Sequence, residues 1–195
     1  MTSNLPRLIG IHSPIPGSGK TTIAKFLVEE YNYHRIPFAD PLKLMTRTLL
    51  QCFGYSKVYG DKLLNDPVLK EQILPELDVT PRSMMQTLST EWGRKLIHPE
   101  IWLLAWKHSV EELGIYGRVV VDDVRFPNEL DIVKSHLSST LWRVERPSAA
   151  VNTEVMAHSS QQPLDRSQFQ ETIVNSGSIK DLHMTINNIL LGVPV

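Results

Sequence analysis

The stretch Leu8-Ile9-Gly10-Ile11-His12-Ser13-Pro14-Ile15-Pro16-Gly17-Ser18-Gly19-Lys20-Thr21-Thr22 decides the fold. A short apolar run enters a loop built around Gly-Ser-Gly-Lys-Thr-Thr, and an amphipathic run to Tyr31 follows at once. That order predicts a buried strand, a phosphate-binding loop and a helix. Polyphosphate suits this arrangement because successive backbone N–H groups around Gly17, Ser18, Gly19, Lys20, Thr21 and Thr22 can face one concavity. The helix start adds unpaired N–H groups and the positive end of its dipole. The Lys20 ammonium can reach β- and γ-phosphates, and the Thr21 hydroxyl can ligate Mg²⁺. Pro14 stands where the pattern G-x-x-x-x-G-K-[ST] has its first glycine, and neither Pro14 nor Pro16 has an N–H to offer. The cradle is therefore expected to start at Gly17.

Working outward, strands and helices alternate. Arg35–Phe38 reads as a short strand that Pro37 makes irregular or places at an edge. Asp40-Pro41 reads as an N-cap with proline at the first helical position, opening a helix to Phe53. Residues 54–78 carry turn signals and one short helix around Val68–Leu74. Thr80-Pro81 opens a helix to about Trp92, with Gly93 ending or kinking it. A helix over Glu100–Leu113 places Trp102 and Trp106 on one face. Val119-Val120-Val121 is a buried strand ending in Asp122-Asp123. A helix runs from Phe126 to about Leu137, a strand over Thr140–Glu145, and a long polar loop from Arg146 to Gln168. A short strand over Thr172–Asn175 precedes a helix from Ser178 to Leu191 that Gly192 ends. The fold class is α/β with a mainly parallel sheet of five strands. In such sheets ligands bind beyond the carboxyl ends of the strands. The phosphate loop, Asp40, Asp122, Asp123 and Arg146 all fall at those ends.

The 195 residues suit one domain with a sizeable core. The net charge of −1 gives no basic excess for a nucleic acid polymer. No apolar run is long enough to span a bilayer. The one cysteine, Cys52, excludes an internal disulfide, fits a reducing cytoplasm and sits in an apolar run that reads as core. The histidines show no spacing for a structural zinc site.

An acid at a strand end beside a phosphate loop can hold Mg²⁺, and spacing leaves open whether Asp122 or Asp123 does so. Phosphoryl transfer also needs fixed cations. Arg82, Arg94, Arg125, Arg146 and Arg166 are the candidates, each weighed against an ordinary solvated arginine. Trp92, Trp102 and Trp106 could stack a base, but core packing is the better reading for at least two of them.

Four stretches resemble the bacteriophage-type deoxynucleoside monophosphate kinases, a branch of the P-loop nucleoside monophosphate kinases. They are Pro16–Thr22, Phe38-Ala39-Asp40-Pro41-Leu42-Lys43, Thr80-Pro81-Arg82 through Gln86 to Trp92-Gly93-Arg94, and Asp123-Val124-Arg125-Phe126-Pro127-Asn128-Glu129. The resemblance implies a single three-layer α/β/α kinase domain. Its core would be 1–40, 116–146 and 169–195, with an acceptor-binding insert at 41–115 and a lid at 147–168. It implies ATP with Mg²⁺ on the phosphate loop and a deoxynucleoside monophosphate as acceptor. Asp40, Arg82, Gln86, Trp92, Arg94, Asp123 and Arg125 would serve the acceptor. Lys20, Arg125, Arg146 and Arg166 would serve the transfer, and Thr21, Asp122 and Asp123 the metal. Relatives often read His-x-Ser-Glu in the lid, where this chain has His158-Ser159-Ser160-Gln161. A homodimer and a cytoplasmic location, the host's for a phage-encoded chain, accord with the family pattern. Dephospho-coenzyme A, shikimate or gluconate kinases share the loop, and a nucleotide-binding regulatory protein without turnover is the reading from another class.

Overall fold

The computed structural model describes residues 5–114, 117–147 and 164–193. They form two compact units, one of residues 1–37 and 110–195 and the other of residues 38–109.

The first unit holds a five-stranded parallel sheet. Its strands are β1 (Leu8–His12), β2 (Tyr33–Arg35), β3 (Arg118–Val124), β4 (Ser139–Glu145) and β5 (Glu171–Val174), in the order β2-β3-β1-β4-β5. All of β1 is buried, as a central parallel strand covered on both faces must be. One face packs Ile9, Ile11, Val120, Trp142, Val144 and Ile173 against Ile23, Ala24, Phe26 and Leu27 of α1 (Lys20–Tyr31). Leu182 and Ile186 of α7 (Ile179–Leu191) complete that cluster. The other face meets α6 (Pro127–Ser135) so closely that a Cβ on Gly10 would lie 2.6 Å from Leu141 Cδ2 and 3.0 Å from Val133 Cγ1. Helix, sheet and helix make the three layers.

Local chemistry sets the element ends. Ser178 Oγ accepts from Asp181 N, and Asp181 Oδ2 accepts from Ser178 N, so each group caps the other at the start of α7. Gly192, with φ 68°, ends that helix in the left-handed conformation expected of a glycine there. The strand anticipated at Arg35–Phe38 lies earlier, at Tyr33–Arg35, and it is an edge strand. Pro37 cannot donate to a ladder and falls outside it.

The second unit is helical: α2 (Asp40–Cys52), α3 (Lys57–Asn65), α4 (Pro81–Gln86) and α5 (Ile101–Glu112), the last crossing into the first unit. Its core gathers Leu50, Leu63, Leu64 and Leu74, with Met84 and Met85 against them. Several expectations need correction. Ala39, not Asp40, is the cap residue of α2; Asp40 sits in the first turn, where its charge favours the dipole. The apolar run does not bury Cys52, which is exposed at the end of α2. Helix α3, capped by Ser56, was hidden among turn signals, and only a single 3₁₀ turn, Leu69–Glu71, occupies the place of the anticipated helix there. Gly93 does not stop the chain: α4 continues as a π-helical run, Thr87–Ile97. That wider helix accommodates Trp102, whose Nε1 donates to Ser89 O at 3.0 Å and whose ring would meet a Cβ on Gly93 at 2.7 Å. Trp102 and Trp106 are core, and the Trp106 ring lies tilted by 45° against that of Phe38, 4.6 Å between centroids. Among the described residues no helix is long and apolar enough to cross a membrane.

Candidate active site

The loop after β1 turns through two left-handed glycines, Gly17 at φ 69° and Gly19 at φ 108°. Gly19 caps α1 without a side-chain partner, and the first helical bond runs from Ile23 N to Gly19 O. The N–H groups of Lys20, Thr21 and Thr22 therefore begin the helix with no carbonyl of its own turn to receive them. Gly17, Ser18, Gly19, Lys20, Thr21 and Thr22 line a cavity of about 380 Å³ together with Arg146 and Asn175. A helix N-terminus facing such a cavity favours an anion.

Asn175, just past β5, holds this loop in shape. Its Nδ2 donates to Ser18 O at 2.8 Å, and its own N donates to Glu145 O at 2.7 Å. A Cβ on Gly19 would come within 2.6 Å of that same Nδ2. Gly19→Ala is therefore strained in φ and collides with the clamp. The expected result is about 1–3 kcal/mol of lost stability and at least a tenfold weaker affinity for ATP, read by thermal melting and by nucleotide titration.

The acids do not follow the strand; they lie within it. Gly10 pairs with Val121 but His12 pairs with Val124, so Asp122 and Asp123 together face the single residue Ile11. This bulge breaks strict alternation, which would send adjacent side chains to opposite faces. Asp122 Oδ2 accepts from Thr21 Oγ1 at 3.0 Å, and Asp122 is only 3% exposed. Asp123 is half-buried and acts electrostatically on Lys20. Burial lowers the Lys20 pKa to about 8; Arg125 pushes the same way, while Asp122 and Asp123 oppose it. Lys20 Nζ lies 3.5 Å from Ser18 Oγ.

His12 pins the bulge from the other side. Its Nδ1–H donates to Val124 O at 2.9 Å, a direction fixed because a carbonyl only accepts. Its ring stacks on Phe169 at 5.3 Å, and Nε2 is buried without a partner among the described residues. Burial, opposed by the Val124 bond and reinforced by Arg143, Lys20 and Arg125, lowers its pKa from 6.5 to about 4. Below pH 6.5 the unfolded chain takes up a proton that the native His12 refuses until about pH 4. This contribution to stability is complete above 6.5 and is lost across that window, reaching about 3 kcal/mol. Urea melts between pH 7.5 and 4.5 should show the decline. His12→Gln, which keeps a donor for Val124 O, should flatten it.

Arg35 is a site residue that sequence reading missed. From the end of β2 its Nε donates to Asp122 Oδ1 and its Nη2 to Asp122 Oδ2, both at 3.0 Å. A strand-end arginine carries no motif, so only the β2–β3 pairing, Arg35 beside Val120, reveals it. The other arginines are placed as follows. Arg125 is exposed, and its backbone N donates to Glu129 Oε2 at 2.7 Å. Glu129 also accepts from Phe126 N, so this buried acid closes the start of α6. Arg146 Nη1 donates to Gly17 O at 3.1 Å. Arg166 pairs with Glu145, which Arg143 also contacts, and these bonds lower the Glu145 pKa. Asp40, Arg82, Gln86, Trp92 and Arg94 belong to the helical unit; Arg82 pairs there with Glu71, and Trp92 is exposed. His158 and Gln161, like most of the anticipated lid, lie outside the described residues.

Among the described residues no group of three or more His, Cys, Asp or Glu could hold a metal. Thr21 and Asp122 nonetheless supply hard oxygen donors beside the anion cradle, which fits Mg²⁺ bound through one or two protein oxygens and nucleotide phosphates.

The chain is 27% identical over 184 residues to a protein of Acanthamoeba polyphaga mimivirus provisionally named a deoxynucleotide monophosphate kinase, covering 87% of this chain and 89% of that one. It is 37% identical over 81 residues to the deoxynucleoside-5'-monophosphate kinase of Escherichia phage T5, covering 40% of this chain and 32% of that protein. This chain is homologous to proteins named deoxynucleoside monophosphate kinases. No protein-family model matches. The crystal structure of TT1252 from Thermus thermophilus superposes with a TM-score of 0.51 at 19% identity, covering 98% of this chain and all of that one, and supports the fold.

Proposed function

We propose that this protein transfers the γ-phosphoryl group of ATP to the α-phosphate of a deoxynucleoside monophosphate, giving the diphosphate and ADP. The observation that carries the proposal is the union of an anion cradle at the start of α1 with Asp122 on the Thr21 hydroxyl. Similarity across 87% of the chain to a protein named for this activity gives the substrate class.

The loop amides of residues 17–22 and the Lys20 ammonium bind the β- and γ-phosphates and offset the charge that spreads over the moving group. Most of the catalysis is positioning and charge stabilisation, so no covalent intermediate on the protein is needed. Bound Mg²⁺ would neutralise phosphate charge, held by Thr21 and Asp122 with Asp123 near. Arg125 and Arg82 are the residues proposed for the acceptor phosphate, with Asp40, Gln86, Trp92, Arg94 and Asp123 completing the acceptor set. Arg146 already contacts the loop at Gly17 O, and it and Arg166 are the arginines proposed to close over the transferred group. Arg166 must leave Glu145 to do so.

A coupled ADP-release assay with ATP, Mg²⁺ and each of the four common deoxynucleoside monophosphates tests this reading, with AMP and dephospho-coenzyme A as further acceptors. Turnover with at least one deoxynucleotide is expected. Turnover with dephospho-coenzyme A alone, or ATP binding without any acceptor, would overturn it.

A further inference from the structure

We infer that Arg35 is a built-in counter-ion that occupies the metal-side carboxylate while no cation is bound, and so sets how much Mg²⁺ the nucleotide complex requires. This rests on the metal-assisted reading above. An ionised carboxylate offers about four lone-pair sites. On Asp122 three are taken: one by Thr21 Oγ1 and two by the Arg35 fork. The Asp122 side chain is 2% exposed and would be costly to leave as an unpaired anion; the guanidinium supplies the missing charge and both bonds. The Arg35 side chain, by contrast, is 35% exposed at the end of an edge strand. It has room to withdraw towards solvent, whereas the carboxylate does not.

Two cations cannot share one buried carboxylate without repulsion. For Asp122 to face a divalent ion, the Arg35 fork has to open on at least one side. Mg²⁺ affinity at this site is then a competition, with Arg35 on the opposing side and the nucleotide phosphates on the favourable one. Arg35 is thus a positioning residue. It keeps Asp122 turned towards Thr21 in the empty site and makes the carboxylate a poor cation trap until phosphate arrives.

The test measures binding of a non-hydrolysable ATP analogue against Mg²⁺ concentration in wild type, Arg35→Met and Arg35→Lys, with an EDTA arm, and follows Mn²⁺ by electron paramagnetic resonance in the same complexes. Arg35→Met keeps the stem and removes the competing charge. Its half-saturating Mg²⁺ concentration should fall about tenfold, while analogue affinity in EDTA should fall, because Asp122 then stands uncompensated beside the phosphates. Arg35→Lys, a single-point cation without the fork, should shift in the same direction by a smaller factor, and it carries the test alone if the methionine variant does not fold. An unchanged or higher Mg²⁺ requirement in the variants would overturn the role of Arg35. Failure of the wild type to bind the analogue under any condition would instead overturn the kinase reading, so the two failures are distinct.

Discussion

Lys20→Met is expected to lower kcat by about three orders of magnitude while leaving the melting temperature within a few degrees of wild type. The two halves of that expectation have one cause. Lys20 is held partly out of water, with its pKa pulled down to about 8 by burial and by Arg125. Holding an ammonium in such a place does not favour folding, so replacing it by an apolar side chain of similar length costs little stability. The same desolvation makes the charge effective towards phosphate, because little water screens it. The coupled ADP-release assay and a thermal melt, made on one preparation, check both halves. Turnover within tenfold of wild type would remove the phosphate loop from the mechanism.

Asp122→Ala should damage activity and stability together. The substitution leaves the Arg35 guanidinium and the Thr21 hydroxyl without their shared acceptor. Breaking a fully buried ion pair from one side costs about 3–5 kcal/mol. Arg35 reaches solvent and can rehydrate, so about 2 kcal/mol is expected here. Turnover should fall by at least a hundredfold, since Thr21 loses the group that orients its hydroxyl. Asp123→Ala serves as the comparison. Asp123 acts electrostatically on Lys20, whereas the Thr21 hydroxyl is held by Asp122, so the loss of Asp123 should cost less turnover. A larger effect at Asp123 than at Asp122 would exchange their proposed roles.

The sheet and the loop were legible because their signals are local. An apolar run, two glycines, Lys-Thr and an amphipathic run define β1, the loop and α1 within two dozen residues. The capping groups of α7, Ser178 and Gly192, were equally plain. Three features were not legible, for one shared reason. Arg35 reaches Asp122 from 87 residues away, Asn175 reaches Ser18 from 157 away, and the bulge at Asp122-Asp123 exists only in register with β1. Pairings of that range leave no periodicity in either partner. The π-helical run at Thr87–Ile97 was missed because glycine is ordinarily a stop, and only the indole of Trp102 against Gly93 shows why this one continues. Residues 54–78 misled through their turn residues: Gly60 lies inside α3 with Arg47 Cγ 3.4 Å from where its Cβ would be.

The hold of Asn175 on Ser18 also bears on the order in which the protein matures on the ribosome. The glycine loop emerges before β3 and β4, so neither neighbour of β1 exists when it is made. Asn175 arrives later still. Domains generally fold as units during synthesis, and contacts of long sequence separation form slowly. A nascent chain halted before residue 175 would carry every residue of the glycine-lysine motif and no finished cradle to hold a nucleotide. The cradle is therefore finished only once residue 175 has joined it, well after the glycine-lysine motif itself has been made.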